Sequence, residues 1–133
     1  MARLIVLDAS ALIALYGSRD VHHNWAVNLF MKTVDSELAI PALTLADVLV
    51  RPIQVGKVNV FERSIEKLGL RVLPLEAGAC VELATLRAST GLKMPDAVVV
   101  HSAKATQAAL ATTDLKLAAA AREHGVPVFA PSN

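Results

Sequence analysis

The sequence predicts an α/β domain in three layers, α/β/α, built around a short central parallel sheet. Short apolar runs alternate with stretches of helical periodicity along the whole chain, the pattern of strand–helix–strand units. The first run, Arg3–Leu7, shows no alternation of polar and apolar residues, as suits a strand buried on both faces. The chain has 133 residues and 54% of them are hydrophobic, against a usual share of roughly 45–50%. That is the size of one domain, spanning 1–133, whose core needs no disulfide or metal staple.

Each element has its own signal. Asp8-Ala-Ser10 opens a helical stretch, Ala11–Tyr16, that Gly17 ends. Beyond the polar Ser18–Asp20, His22–Thr33 reads as an amphipathic helix with Trp25, Leu29 and Phe30 on one stripe. Leu38–Ile40 is a second strand closed by Pro41. Thr44–Val50 resumes helix and is interrupted near Pro52 and Gly56. Val58–Leu68 is a helix with Val60, Phe61, Ile65 and Leu68 as its apolar face, and Arg71–Leu73 is a third strand. A helix over Ala77–Thr90 stops at Gly91. Pro95 sits where the next helix begins, and Asp96–Gln107 continues it. Ala109–Thr112 is a strand, Leu115–His124 a helix ended by Gly125, and Val128–Phe129 the last strand. The Ala-rich Ala118–Ala121 belongs to a good helix rather than to disorder.

Composition removes several functional classes. Intrinsic disorder is excluded by the apolar content. Aromatic residues are 4% of the chain, so Trp25, Tyr16 and three Phe cannot tile a nucleic-acid strand. The one cysteine, Cys80, rules out an internal disulfide and a multi-thiolate zinc site. It fits a reducing compartment and reads as a small core residue. The run Leu4–Leu7 is cut by Asp8, too short for a secretory core or a bilayer span, so a cytoplasmic protein without a membrane partner is expected. The motifs of P-loop ATPases, dinucleotide-binding folds and serine hydrolases are missing.

The chemistry lies in the acids. Of six Asp and six Glu, four Asp adjoin apolar stretches: Asp8, Asp47, Asp96 and Asp114. Each alone has a structural reading. Asp8 and Asp114 suit helix N-caps, Thr44-Leu-Ala-Asp47 resembles a capping box, and Asp96 suits the dipole of a first helical turn. Together they read differently. Strand ends and helix N-termini collect at one edge of an open parallel sheet, where ligands bind at the switch of strand order. Two like charges at roughly 4 Å and an effective dielectric near 20 repel by about 4 kcal/mol. Such a cluster persists when protons or cations neutralise it. Oxygen ligands without His or Cys select Mg2+ or Mn2+. The net charge is +1, so without these four Asp the remainder of the chain is mildly basic. An acidic metal cleft on such a body suits a phosphodiester substrate.

Leu-Asp8-Ala-Ser10-Ala-Leu-Ile-Ala, Pro-Ala-Leu-Thr-Leu-Ala-Asp47-Val-Leu, Met-Pro-Asp96-Ala and Ala-Thr112-Thr-Asp114 together resemble the motifs of PIN-domain nucleases. In order, spacing and total length they are most similar to VapC-type toxins of toxin–antitoxin pairs. The resemblance spans the chain and implies a PIN-like fold and a metal-dependent endoribonuclease. It also implies a homodimer inhibited by a small VapB-type antitoxin, with RNA as substrate and products bearing a 5′-phosphate and a 3′-hydroxyl. Carried over, the catalytic quartet is Asp8, Asp47, Asp96 and Asp114, with Asp8, Asp96 and Asp114 as the Mg2+ or Mn2+ ligands. Ser10 matches a hydroxyl that supports the first Asp. The family usually has Glu where this chain has Asp47, whose shorter reach fits a water-mediated metal contact or a capping role.

Other residues carry weaker readings. His22 and His23 read as exposed residues at a helix start. His101 lies about 140° around its helix from Asp96 and cannot share its face, and His124 suits a helix C-terminus. Arg51 and Lys116 read equally as phosphate contacts or surface charges. The high apolar fraction suggests a buried interface, with Trp25, Phe30 and Phe61 of the two amphipathic helices as candidates for antitoxin or dimer contacts. The alternatives to a nuclease are a degenerate PIN-like module that only binds, and a receiver-like phospho-acceptor domain. A receiver carries paired acids after its first strand and a Lys after its last, whereas Asp8 is single and Val126-Pro-Val128 has no Lys.

Overall fold

The computed structural model describes residues 3–132. Its elements are β1 (Leu4–Leu7), α1 (Ala9–Tyr16), α2 (His23–Lys32), β2 (Glu37–Pro41), α3 (Ala42–Gln54) and α4 (Val58–Leu68). They continue with β3 (Arg71–Leu73), α5 (Cys80–Thr90), α6 (Met94–Ala105), β4 (Ala109–Ala111), α7 (Leu115–Glu123) and β5 (Val128–Phe129).

The strands form one parallel sheet in the order β3-β2-β1-β4-β5. The two-residue period of a strand divides the core in two. Ile5 and Leu7 of β1, Ile40 of β2, and Ala109 and Ala111 of β4 face a cluster with Ala11, Leu12, Leu29 and Val48. Val6, Ala39 and Leu110 point the other way, toward Leu83, Leu86, Val99, Leu117 and their neighbours. Helices α1–α4 thus cover one face and α5–α7 the other. Right-handed crossovers require this arrangement. The chain steps outward from β1 to β3, then returns to β4 on the far side of β1, so its helices must change face. The expected three-layer α/β/α architecture is what the chain adopts.

Several boundaries and burials differ from the sequence reading, each for a local reason. Helix α3 starts at Ala42 and runs past Pro52 to Gln54. A proline there removes one intrahelical bond, and the ends are tied instead by Val55 N–H to the Arg51 carbonyl and Lys57 N–H to the Pro52 carbonyl. Thr44 and Asp47 therefore sit inside a helix and form no capping box. The stretch Ala77–Ala79 is a separate 3-10 turn ahead of α5. Cys80 is exposed, because Ala79 and Leu83 take the core side of that segment. Trp25, Phe30 and Phe61 are partly buried against the α1–α4 core, and Phe61 meets Tyr16 with ring centroids 4.9 Å apart. His23 is half-buried, its Nδ1 2.9 Å from the Ala14 carbonyl, so it ties α2 to α1. His22 is half-buried as well. Gly91 ends α5 as expected, at φ 72° in the left-handed region that glycine adopts freely. No helix among the described residues is long and apolar enough to cross a membrane.

Candidate active site

Strand order reverses between β1 and β4, and the first side chain beyond each of these strands is polar. Asp8 follows Leu7, and its N–H extends the ladder by bonding the Ala111 carbonyl at 2.9 Å. Thr112 follows Ala111. A carboxylate here is costly unless hydrogen-bonded, because Asp8 is only 8% exposed and Thr112 is fully buried. Two hydroxyls meet that need. Ser10 Oγ donates to Asp8 Oδ2 at 2.6 Å and Thr112 Oγ1 donates to the same oxygen at 2.8 Å. Each hydroxyl owns one proton, so the 3.2 Å contact between Ser10 and Thr112 oxygens carries none. As acceptors, Ser10 Oγ receives Thr113 N–H and Thr112 Oγ1 receives Asp114 N–H, both at 3.0 Å. The loop after β4 is thereby tied to Asp8. Asp8 itself makes no side-chain cap on α1, contrary to the capping reading.

Asp114 does cap. Its Oδ1 accepts Lys116 N–H at 3.0 Å and Leu117 N–H at 3.2 Å at the start of α7. Its second oxygen is free of these bonds, so capping and chemistry are compatible. Asp96 lies half-buried in the first turn of α6. Burial, and then the charges of Asp8 and Asp114, hold its carboxyl above the usual value of 3.8, while Lys93 and Lys116 pull the other way. Three of the four expected carboxylates therefore share one electrostatic environment. Asp47 does not belong to it. It is exposed on α3 and lines a neighbouring groove of about 210 Å³ with Leu43, Thr44, Met94, Pro95 and Val98.

The donors are of the right kind for a hard cation, being oxygen only and mutually repulsive. Among the described residues, no three Asp, Glu, His or Cys side chains converge on one metal-ligating point. Asp8, Asp96 and Asp114 match a divalent cation in donor type and charge, without converging on one ligating point. Ser10 was legible in the sequence as a support for Asp8. The sequence reading gives Thr112 no role of its own, although a hydroxyl at the end of an apolar strand and two residues before an N-cap is its signal. His101 belongs elsewhere, with Nδ1 3.4 Å from Glu82 Oε2.

The raised Asp96 fixes a direction for stability. Its ionised form is disfavoured in the folded state, so its contribution is present below the unfolded pKa and lost as pH rises through the folded one. In EDTA, Asp96→Asn should melt above wild type at pH 7, with the gap closing as the pH falls toward about 4. Thermal melts across pH 3 to 8 check this; a gap that is flat with pH contradicts it.

The PIN domain family model matches residues 5–129. The fold is similar to a toxin–antitoxin complex from Klebsiella pneumoniae, at 22% identity and TM-score 0.76 over 97% of this chain and 98% of that one. It is also similar to FitAcB from Neisseria gonorrhoeae, at 23% identity and TM-score 0.75 over 94% and 96% of the two chains. DNA-bound VapBC from Salmonella typhimurium aligns at 18% identity and TM-score 0.68 over 98% of each chain. No curated protein matches the chain in sequence.

Proposed function

The chain belongs to the PIN domain family, and we propose that it is a single-domain, Mg2+- or Mn2+-dependent endoribonuclease, the cytoplasmic toxin of a VapC-type toxin–antitoxin pair. PIN domains are generally nucleases and typically use divalent metals. The observation that carries the reading is the gathering of Asp8, Asp96 and Asp114 at the reversal of strand order. These three would hold the metal, which supplies Lewis-acid polarisation of a phosphodiester and a water of lowered pKa.

The chain's own residues do the rest. Ser10 and Thr112 occupy Asp8 Oδ2 and leave Oδ1 as its free donor. The cap on α7 fixes Asp114 by Oδ1 and leaves Oδ2. Lys93 and Lys116, whose charges reach Asp96, draw an anionic backbone toward an otherwise acidic cleft. The N-terminus of α6 adds partial positive charge beside Asp96. Asp47 completes the catalytic quartet from α3, at the edge of the cleft rather than among the metal donors. A second reading, a PIN-like module that binds without cutting, draws on that separation and on the unconverged carboxylates.

A titration of Mg2+ and Mn2+ tests the site directly. Either ion should raise the wild-type melting temperature, since a ligand of the folded state adds about 2.7 kcal/mol at 100 times its Kd. Asp8→Asn and Asp96→Asn should respond far less. An equal rise in all three proteins removes the metal site.

The partner reading has its own surface. Ile13 and Tyr16 on α1, and Val50 and Ile53 on α3, are exposed pairs at i,i+3 spacing on two helices that pack together. Such a face suits an apolar antitoxin helix, and the similarity to toxin–antitoxin complexes supports an antitoxin partner. Sedimentation should show a homodimer at micromolar concentration. Ile53→Glu should prevent capture of a co-expressed antitoxin while leaving the fold intact. A strictly monomeric protein at high micromolar concentration counts against the dimer.

A further inference from the structure

The groove beside Asp96 has apolar walls left in water. Leu43 is 51% and Met94 40% exposed, and with Pro95 they flank a floor of buried Thr44 and Val98. Asp47 is the one charged residue lining it. The volume, about 210 Å³, falls below the roughly 300–1,000 Å³ of sites for drug-sized ligands and suits a single flat ring system. Pro95 immediately precedes Asp96, so the groove opens directly beside the carboxylates that gather at the sheet edge. A phosphodiester held at those carboxylates would bring a neighbouring base to this groove.

We infer that the groove between the starts of α3 and α6 is a base-binding subsite, taking one nucleobase of single-stranded RNA next to the scissile phosphate, with Asp47 reading its donor edge. The assignment rests on the nuclease reading and deepens it. Proteins read single-stranded RNA by seating unstacked bases on flat or apolar surfaces and hydrogen-bonding their Watson–Crick edges. Here the seat is aliphatic, made by Leu43, Met94 and Pro95. An ionised carboxylate only accepts hydrogen bonds, so it selects by counting donors. Guanine presents N1–H and its 2-amino group side by side, a match for both carboxylate oxygens. Cytosine and adenine present one amino group beside an acceptor. Uracil presents one N–H between two carbonyl oxygens that repel a carboxylate. Guanine therefore ranks first and uracil last. Neither of the two ion pairs among the described residues involves Asp47, which leaves its carboxylate open to a ligand.

The test uses four short single-stranded RNAs differing only at the base beside the cleaved bond. Two readouts are taken on the full chain: kcat/KM with Mn2+, and equilibrium binding in EDTA, where no cleavage occurs. Wild type should favour guanine over uracil by about tenfold in both, the discrimination of one bidentate base contact. In the EDTA binding readout Asp47→Asn should level the ranking whatever cleavage it loses, and Leu43→Ala or Met94→Ala should weaken all four RNAs alike, each variant keeping the wild-type circular dichroism spectrum. An unchanged ranking in Asp47→Asn overturns the subsite. So does an equal loss of cleavage on all four RNAs together with loss of the Mn2+-induced rise in melting temperature, which makes Asp47 a metal ligand. Failure to bind any of the RNAs in EDTA and to cleave any with Mn2+ overturns it too. Guanine-selective binding in EDTA that Asp47→Asn levels, from a wild type that cuts nothing, keeps the subsite and discards the nuclease reading.

Discussion

Asp8→Asn and Asp96→Asn should each fold normally and cut single-stranded RNA slower by about a hundred- to a thousandfold, the scale on which one lost electrostatic stabiliser of a transition state acts. The substitution separates charge from shape. At position 8 the asparagine carbonyl can still accept Ser10 Oγ and Thr112 Oγ1, and the backbone bond to Ala111 is untouched. At position 96 asparagine keeps the size of a first-turn residue that makes no side-chain cap of its own. Each loses a negative oxygen from a set whose members repel one another. In EDTA, Asp96→Asn should therefore be the more stable protein at neutral pH and, with Mg2+, the less active one. Stability and activity moving in opposite directions is the signature of a functional charge cluster, and a structural role for Asp96 would lower both together. Gel assays of RNA cleavage with Mg2+, beside thermal melts, read both quantities, and cells should tolerate expression of either variant. Full cleavage in EDTA, or by a folded Asp96→Asn protein, sinks the mechanism.

Much of this fold is legible in the sequence because its central strands, β1 and β4, are buried on both faces. Such strands announce themselves as unbroken apolar runs, as in Leu4–Leu7, and the residue that breaks the run, Asp8, marks the sheet edge. Three of the four Asp were locatable for the same reason: they stand where apolar runs stop or helices start. What stayed hidden depends on neighbours that no local pattern encodes. Pro52 was readable as a break, yet α3 absorbs it in its last turn. Cys80 is apolar enough for a core, but the preceding 3-10 turn swings it outward. Trp25, Phe30 and Phe61 pack partly against a core that α1–α4 share over the sheet, which no single helix pattern shows. Capping depends on neighbours too: Asp8 stands at the N-cap of α1 but gives its carboxylate to Ser10 and Thr112, Asp47 lies inside α3, and Asp114 caps α7. The groove at Leu43 and Met94 needed the starts of α3 and α6 to be placed side by side.

Thr112→Val should cost about 1–3 kcal/mol of stability and lower cleavage by about 10- to 100-fold, the range found when a residue that orients a metal ligand is lost. Valine has nearly the volume of threonine, so the fully buried site keeps its packing and loses only the hydroxyl. That hydroxyl works in two directions. It donates to Asp8 Oδ2 and accepts Asp114 N–H, so it is the link that sets the spacing of two carboxylates on separate strand ends. With valine, Asp8 keeps Ser10 as its one remaining hydroxyl donor, and Asp114 N–H loses its acceptor. Thr112→Ser is the control: it retains the hydroxyl, removes one methyl, and should cost no more than about 1 kcal/mol while holding activity near wild type. Chemical denaturation at pH 7, with RNA cleavage on the same samples, distinguishes the cases. If serine and valine fall equally, packing at the strand end is what matters, and the hydroxyl bridge between Asp8 and Asp114 has no part in positioning them.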